Sequence, residues 1–440
     1  MAFATVVALV PLIGFVALGA EAGSWYVTKQ QAQNAADAAA YSGGLRLQCS
    51  TVANGGGAAC ADAQSIDYRA RQFAAQNTFC DGSDTNSYSG SRCPTSLPSG
   101  ISRNVSIAVT ATQVQATVTQ TQPTYLANLL GLSTVTIGAT ATAEVKQLAF
   151  PCVLTLADPL VFQGNTTIKS PNCGLSSNDT DKSGSIQFTG NSVNLNQVKS
   201  VSGVGGCSDT GGSQCNAAIT SASSTPNPLS GLDTAISSLK ITDFPSGACS
   251  VPGGNSPIAL AAYGTSNKCY YNGPSFQNKN YTLNGVYFID GQFQIQGNLT
   301  GTATLIFLPP KFTGSSDPGG SLKISGNPTI QITALSSITA SQVPTSLGTA
   351  ANLTLLTGIV IYDPEASSNL KITGSSTSYF NGITYAPNAD LTYQGNATQT
   401  NSCNEVIAKG VTLSGSSNFD NSACPVSNPA AFTHYVRLVQ

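Results

Sequence analysis

Between residues 160 and 416 one short phrase returns seven times: apolar, any, apolar, polar, then Gly followed by Asn or Ser. It stands as VFQGN around Gly164, IQFTGN at Gly190, FQIQGN at Gly297 and LKISGN at Gly326. It returns as LKITGS at Gly374, LTYQGN at Gly395 and VTLSGS at Gly415. Intervals between neighbouring copies include 26, 29, 21 and 20 residues, which are the periods of stacked structural repeats. Alternation places the apolar side chains on one face of a strand and Thr, Gln, Lys or Ser on the other. Gly and Asn tolerate left-handed backbone angles, so the Gly-Asn/Ser step reads as a tight corner. The pattern predicts a mainly β chain with a parallel β-helix (solenoid) over 148–440. At ~25 residues and ~4.8 Å per rung that is about 12 rungs and a length near 55 Å. A β-sandwich is the alternative, but its hairpins favour two-residue Asn-Gly turns, which are scarce here. Stretches 205–285 and 335–355 lack the phrase and read as loops or insertions.

Composition fits a water-facing β structure. Only 9% of the 440 residues are charged while 41% are apolar, against roughly 25% charged in ordinary soluble proteins. The missing charge is replaced by hydroxyl and amide side chains. Net charge is −2 from 18 basic and 20 acidic residues, and no Lys/Arg cluster offers the phosphate neutralisation that nucleic-acid binding needs. A single His excludes chemistry that rests on two or more histidines.

The chain opens on twenty uncharged residues, MAFATVVALVPLIGFVALGA. As a helix they span about 30 Å, the thickness of a bilayer's hydrocarbon core, and Pro11 is tolerated in that setting. Trp25 and Tyr26 follow where aromatic rings settle at an interface. The expectation is one transmembrane helix over about residues 2–20, with no second span. A cleaved signal peptide is the competing reading, since Ala20-Glu21-Ala22 resembles a cleavage site, but no basic segment precedes the run. A buried core helix is the third.

Twelve cysteines follow: Cys49, Cys60, Cys80, Cys93, Cys152, Cys173, Cys207, Cys215, Cys249, Cys269, Cys403 and Cys424. No C-x-x-C pair occurs, so neither a zinc knuckle nor a thioredoxin-type redox pair is indicated. In order they form six close couples. Sequence leaves the connectivity open, with local pairing the simplest reading. Structural disulfides place the bulk outside the reducing cytosol.

Residues 21–48 read EAGSWYVTKQQAQNAADAAAYSGGLRLQ. Ala32, Ala35, Ala36, Ala39 and Gly43 share one helical face, a stripe of small side chains on which another helix can approach closely. The apolar run with Pro11, then Trp25-Tyr26, then Gln33-Asn34-Ala35-Ala36-Asp37-Ala38-Ala39-Ala40, is similar to the N-terminal membrane domain of TadG-type (TadE/TadG-like) Flp pilus-assembly proteins. The basic, Gly-containing lead-in usual in that family is absent, and an acid commonly found at the helix exit would be Glu21. PNCGLSSN (171–178), NGVYFIDG (284–291) and FNGITYAPNADLTYQGN (380–396) look like the β-rich C-terminal region of some TadG-like proteins. The resemblance implies a single-pass bacterial inner-membrane protein with its bulk in the periplasm or cell envelope. It implies a structural or interaction role in tight-adherence pilus assembly, with other pilus-assembly or envelope proteins as partners. It implies no enzymatic activity, cofactor or small-molecule substrate.

Between these ends, 61–77 has helical spacing through Ile66, Ala70, Phe73 and Ala74. Val105, Ile107 and Val109, then Val114, Ala116 and Val118, alternate as half-buried strands. Tyr125 to Leu132 reads as one short helix and Val135 to Val145 as another strand. The expected division is 1–48 membrane helix and family segment, 49–147 small α+β unit of pilin-like layout, and 148–440 disulfide-stapled β-helix.

Several fragments imitate active sites. Asp81-Gly82-Ser83-Asp84-Thr85 is similar to the D-x-S-x-S metal-adhesion loop of von Willebrand A domains, but lies between two cysteines with no buried strand before it. Asp179-x-Asp181-x-Ser183-Gly184 opens like a calcium loop, yet its twelfth position is Gly190 where a bidentate acid is needed. His434 has no nucleophile near it in sequence. A polysaccharide lyase or hydrolase would cluster acids on successive rungs. Asp363, Glu365 and Asp390 are the candidates, with Lys371 and Lys409 at unconvincing spacing. Three classes therefore stand side by side: anchored pilus-assembly component, released surface adhesin, and carbohydrate-active enzyme.

Overall fold

In a computed structural model of the chain the described residues are 2–54, 60–84, 87–190, 193–253, 257–273, 275–276, 279–326, 328–366, 370–373, 378–394, 403–415, 418–424 and 434–439. The side chains of 2–18, 52–54, 129–130, 275–276 and 418 lie outside that description. The chain divides into two units, Met1–Gln147 with His434–Gln440, and Leu148–Thr433. The second unit is thus inserted between two neighbouring strands of the first. This differs from a division at 48/49 and a β-rich segment running to 440. Residue 48 lies inside a continuous helix, and the last strand belongs to the first unit.

In the first unit α1 (Ala2–Asn54) and α2 (Ile66–Gln76) cover a four-stranded antiparallel sheet. Its strands run in the order β1 (Ser102–Val109), β2 (Gln113–Pro123), β3 (Thr134–Gln147) and the C-terminal strand His434–Val439. Ser65 starts α2 by accepting the amide of Tyr68 at 3.0 Å, an ordinary N-cap. Alternation is clean in β2, where Val114, Ala116 and Val118 are buried and the residues between them face outward. Phe73 departs from its expected place: it is 38% exposed, while Ala70, Ala74 and Ala75 are buried and Phe79 is the ring that fills the core. No helix among the described residues is long and apolar enough to cross a membrane. The run that carries the expectation of a span, 1–20, has its side chains outside the description through Leu18.

In the second unit the paired described strands run parallel. The repeated phrases lie beside one another in register. Phe293 and Ile295 oppose Leu322 and Ile324; Leu370 and Ile372 oppose Leu391 and Tyr393. Leu391 and Tyr393 oppose Val411 and Leu413, which oppose Leu160 and Phe162, which oppose Ile186 and Phe188. All of these side chains are buried in one continuous apolar column. Gly415, Gly164 and Gly190 stack at the phrase ends. A Cβ on Gly190 would stand 2.2 Å from the Gly164 carbonyl oxygen, and one on Gly164 2.9 Å from that of Gly415. Gly374 and Gly395 lie outside the described residues.

The order of strands is not the order of the chain. From one end the ladder reads Ile258–Ala259, Tyr281–Asp290, Leu299–Phe307, Ile330–Thr333, Tyr379–Gln394 and Asn404–Gly415. It continues into Pro151–Thr155, Gly174–Ser177, Val201–Gly203 and Ala218–Ile219. The chain therefore enters mid-ladder, builds one arm outward to 219, restarts at the far end and returns to meet its own beginning.

A second apolar core lies on the opposite face of several of these strands, built by Val286, Phe288, Ile306, Leu308, Ile359, Tyr362 and Tyr385. Segments 229–244 and 335–356, with helices α3 (Ser230–Ser237) and α4 (Ala350–Leu356), cover it together with Tyr263 and Tyr270. The stretches without the phrase thus supply this cover, and they also contribute short strands, Cys207–Asp209, Ile258–Ala259 and Tyr271–Asn272. Strands of two or three residues carry no readable period. Asp233 of α3 accepts the hydroxyls of Tyr362 at 3.0 Å and Tyr385 at 2.7 Å, which ties the cover to the ladder.

Candidate functional site

The family segment of α1 lies on the sheet by its small side chains. Ala32, Ala35, Ala36, Ala39 and Ala40 are fully buried. A Cβ on Gly43 would meet Val114 Cγ1 at 2.8 Å and Ala70 at 3.3 Å; one on Gly44 would meet Val436 Cγ1 at 2.8 Å and Ala143 at 2.9 Å. The stripe therefore serves two partners, α2 and the sheet, where sequence suggested a helix alone. Of the other motif residues, Gln33 donates to Asp37 at 2.8 Å across one helical turn, Asn34 is exposed and Ala38 half-buried. Tyr26 is 66% exposed. Trp25 is half-buried, and its indole nitrogen is enclosed with no hydrogen-bond partner among the described residues. Lys29 donates to the Gly138 carbonyl and Gln48 to that of His434, so polar contacts flank the stripe.

Where α1 leaves its uncharged run, Glu21 takes three backbone donors. Its carboxylate accepts the amides of Tyr125 at 2.8 Å, Leu126 at 3.0 Å and Ala127 at 3.2 Å. These amides open the single 3-10 turn Ala127–Leu130 in the β2–β3 connection, the place where a short helix was expected. Sequence reasoning singled out Glu21 and this connection separately but not their meeting, since no spacing rule links positions about a hundred residues apart.

In the second unit, disulfides join Cys152–Cys173, Cys207–Cys215, Cys249–Cys269 and Cys403–Cys424; the first unit holds Cys49–Cys60 and Cys80–Cys93. Sulfurs of Cys152, Cys173 and Cys424 gather within 4.8 Å, as do ligand atoms of Cys403, Glu405 and Cys424. Being oxidised, these sulfurs present no thiolate to a metal. The two bridges, Cys152–Cys173 and Cys403–Cys424, each close a local loop and pack together in one small apolar cluster with Phe150, next to the strands Pro151–Thr155 and Asn404–Gly415 that pair there.

The acids form three groupings. Lys409 Nζ stands 2.7 Å from Asp158 Oδ2, and Asp158 is hydrogen-bonded to Asp390, whose carboxyl is raised by burial and by that neighbour. Asp158 was not among the candidates; it arrives from the opposite arm of the ladder. Asp363 and Glu365 are buried, and burial pushes the Asp363 carboxyl up to about 7. Asp290, also buried, is pushed up to about 6 by burial and by Asp317.

The remaining imitations are structural. Arg71 stands 3.3 Å from Asp81 and 3.9 Å from Asp84, so a guanidinium occupies the side on which a cation would compensate them. Thr85 lies outside the described residues. Asp179 and Asp181 accept the amides two residues ahead, of Asp181 and Ser183, at 2.9 Å, which are turns closed on themselves. His434 sits in the C-terminal strand opposite Gln147, half-buried, with burial lowering its pKa.

A family model for Flp pilus-assembly TadE/G-like proteins matches residues 1–59, which hold α1. The family is a pilus-assembly family, not an enzyme family, and implies a cell-envelope location. No curated protein and no solved structure matches the chain.

Proposed function

We propose that this chain, whose first 59 residues carry the TadE/G-like domain, is a single-pass, membrane-anchored structural component of Flp (Tad) pilus assembly. Residues 2–20 form the span, the first unit holds the pilin-like module, the second is a disulfide-stapled parallel β-helix, and the bulk lies in the periplasm or cell envelope. The match over α1 carries the reading. Supporting it are the twenty uncharged residues before Glu21, the alanine stripe seated on a sheet, and phrases stacked in parallel register. The roles for Trp25, Tyr26 and the 33–38 string are part of this proposal: Trp25 and Tyr26 lie at the membrane interface, the alanines seat the helix, and Asn34 remains available to partners.

A clean deletion is expected to remove surface Flp pili and adherence, with restoration by the full chain. Unaltered piliation and adherence would overturn the reading. Carbonate extraction should leave the chain with membranes, whereas release of the mature chain to the medium would favour an adhesin. If the bulk is exported, maleimide-PEG should label the denatured, unreduced chain at almost none of its twelve cysteines. Labelling should then rise to all of them after reduction, and full labelling without reductant would place the bulk in a reducing compartment.

A further inference from the structure

Four large apolar side chains stand out as the most exposed in the described residues: Tyr125 at 81%, Tyr26 at 66%, Leu132 at 58% and Val27 at 53%. Two belong to α1 within six residues of Glu21, and two to the β2–β3 connection that Glu21 holds. That connection reads TYLANLLGL over 124–132 and carries no charge. It is longer than a hairpin needs and is pinched shut at its base, where the Thr124 amide donates to the Ser133 carbonyl at 3.1 Å and the Thr124 hydroxyl to that of Leu132. The result is an apolar knob. A soluble connection would be polar at its tip; exposing Tyr and Leu instead needs a covering phase.

We propose that the 124–132 knob is a second membrane contact, lying in the interfacial layer of the leaflet from which α1 emerges. It rests on the reading of 2–20 as a span. The occupant is argued from continuity: Glu21 is the first residue after the uncharged run, so the amides it binds are held at the level where that helix leaves hydrocarbon. Tyrosine and tryptophan settle at that depth. A bare carboxylate there would be costly, and three backbone N–H groups supply charge-assisted hydrogen bonds in place of water. Glu21 is thus a positioning residue, fastening knob to helix, and the exposed rings of Tyr26 and Tyr125 form one aromatic collar.

The test uses the full chain in phosphatidylcholine–phosphatidylglycerol vesicles with acyl chains brominated close to the headgroup. Trp25 is the only tryptophan and reports on α1. A Trp25→Phe/Tyr125→Trp chain moves the indole to the knob. Both indoles are expected to lose about half of their emission to brominated lipid. Quenching of Trp25 with none at the Tyr125→Trp indole overturns the knob and leaves the span standing. Quenching of neither overturns both. Shielding of the Tyr125→Trp indole only at high protein density, without bromine quenching, would assign the surface to a second copy. Adding Glu21→Ala should reduce quenching at the knob and spare it at Trp25; unchanged quenching at the knob would overturn the fastening role.

Discussion

Replacing Gly44 with leucine is expected to cost the first unit ~3 kcal/mol or more, and to open the β2–β3 amides to hydrogen exchange in the full chain. The reason is distance. A Cβ at that position already stands 2.8 Å from Val436 Cγ1 and 2.9 Å from the Ala143 Cβ, closer than carbons pack. Both neighbours are themselves buried on the sheet, so neither can swing into water. A leucine must therefore lift α1 off β3 and the C-terminal strand, losing the burial of Ala36, Ala39 and Ala40 with it. Gly23 is the control: nothing lies within 4 Å of its Cβ, and Gly23→Ala should gain rather than lose helix stability, by up to about 1 kcal/mol. Equal exchange in the Gly44→Leu and native chains would mean that the stripe does not carry the docking. Because the second unit has apolar cores of its own, separate from the one α1 seats on, the same variant should leave protection of 299–307 and 404–415 unchanged.

The phrase was legible because two signals coincide in it. Alternation at Phe293/Ile295 or Val411/Leu413 sets which side chains go inward, and the phrase glycines Gly164, Gly190 and Gly297 mark where a neighbour's backbone comes too close for a Cβ, while Gly326 has open space and a φ of +76° that favours glycine. Register follows from both. The order of the strands was not legible, since nothing in the spacing of copies says that 411–415 lies beside 160–164 while 190 and 297 sit on different arms. The same blindness hid Asp158 beside Asp390 and Lys409. The stripe from Ala32 to Gly43 was legible as a demand for close approach, but a small side chain does not declare whether a helix or a sheet will approach. Glu21 and the 125–132 connection were visible separately, as an acid at the helix exit and as one short helix, and only folding brings them together.

Asp363→Asn is expected to stabilise the second unit at pH 8 by on the order of 4 kcal/mol, and to leave it little changed near pH 4. Asp363 is fully buried at the end of the Ile359–Tyr362 strand. One carboxylate oxygen takes the Glu365 amide at 3.1 Å, and the other has no partner among the described residues. Burial therefore favours the neutral acid and pushes its pKa from the ordinary aspartate value of 3.8 up to about 7, with the Glu365 charge acting in the same direction. The sign follows from proton counting. Below about pH 4 both folded and unfolded chains hold the proton and the site costs nothing. Between that value and pH 7 the folded chain keeps a proton that the unfolded chain releases, so stability falls as pH rises. Above pH 7 the loss is complete. Asparagine keeps the shape and the carbonyl acceptor while removing the charge, so its advantage over aspartate should grow through this window and then level. Asp290, pushed to about 6, adds a slope of the same sign to both chains and cancels in the difference. Asp62 of the first unit has the opposite sign. Its hydrogen bonds from Arg69 hold its pKa down to about 2, and that contribution is lost only as pH falls below 3.8. Chemical denaturation of the two full chains at pH 4, 6 and 8 measures the difference. A gap that is constant across pH, or an asparagine chain less stable at pH 8, would mean that Asp363 is ionised and compensated in the folded state.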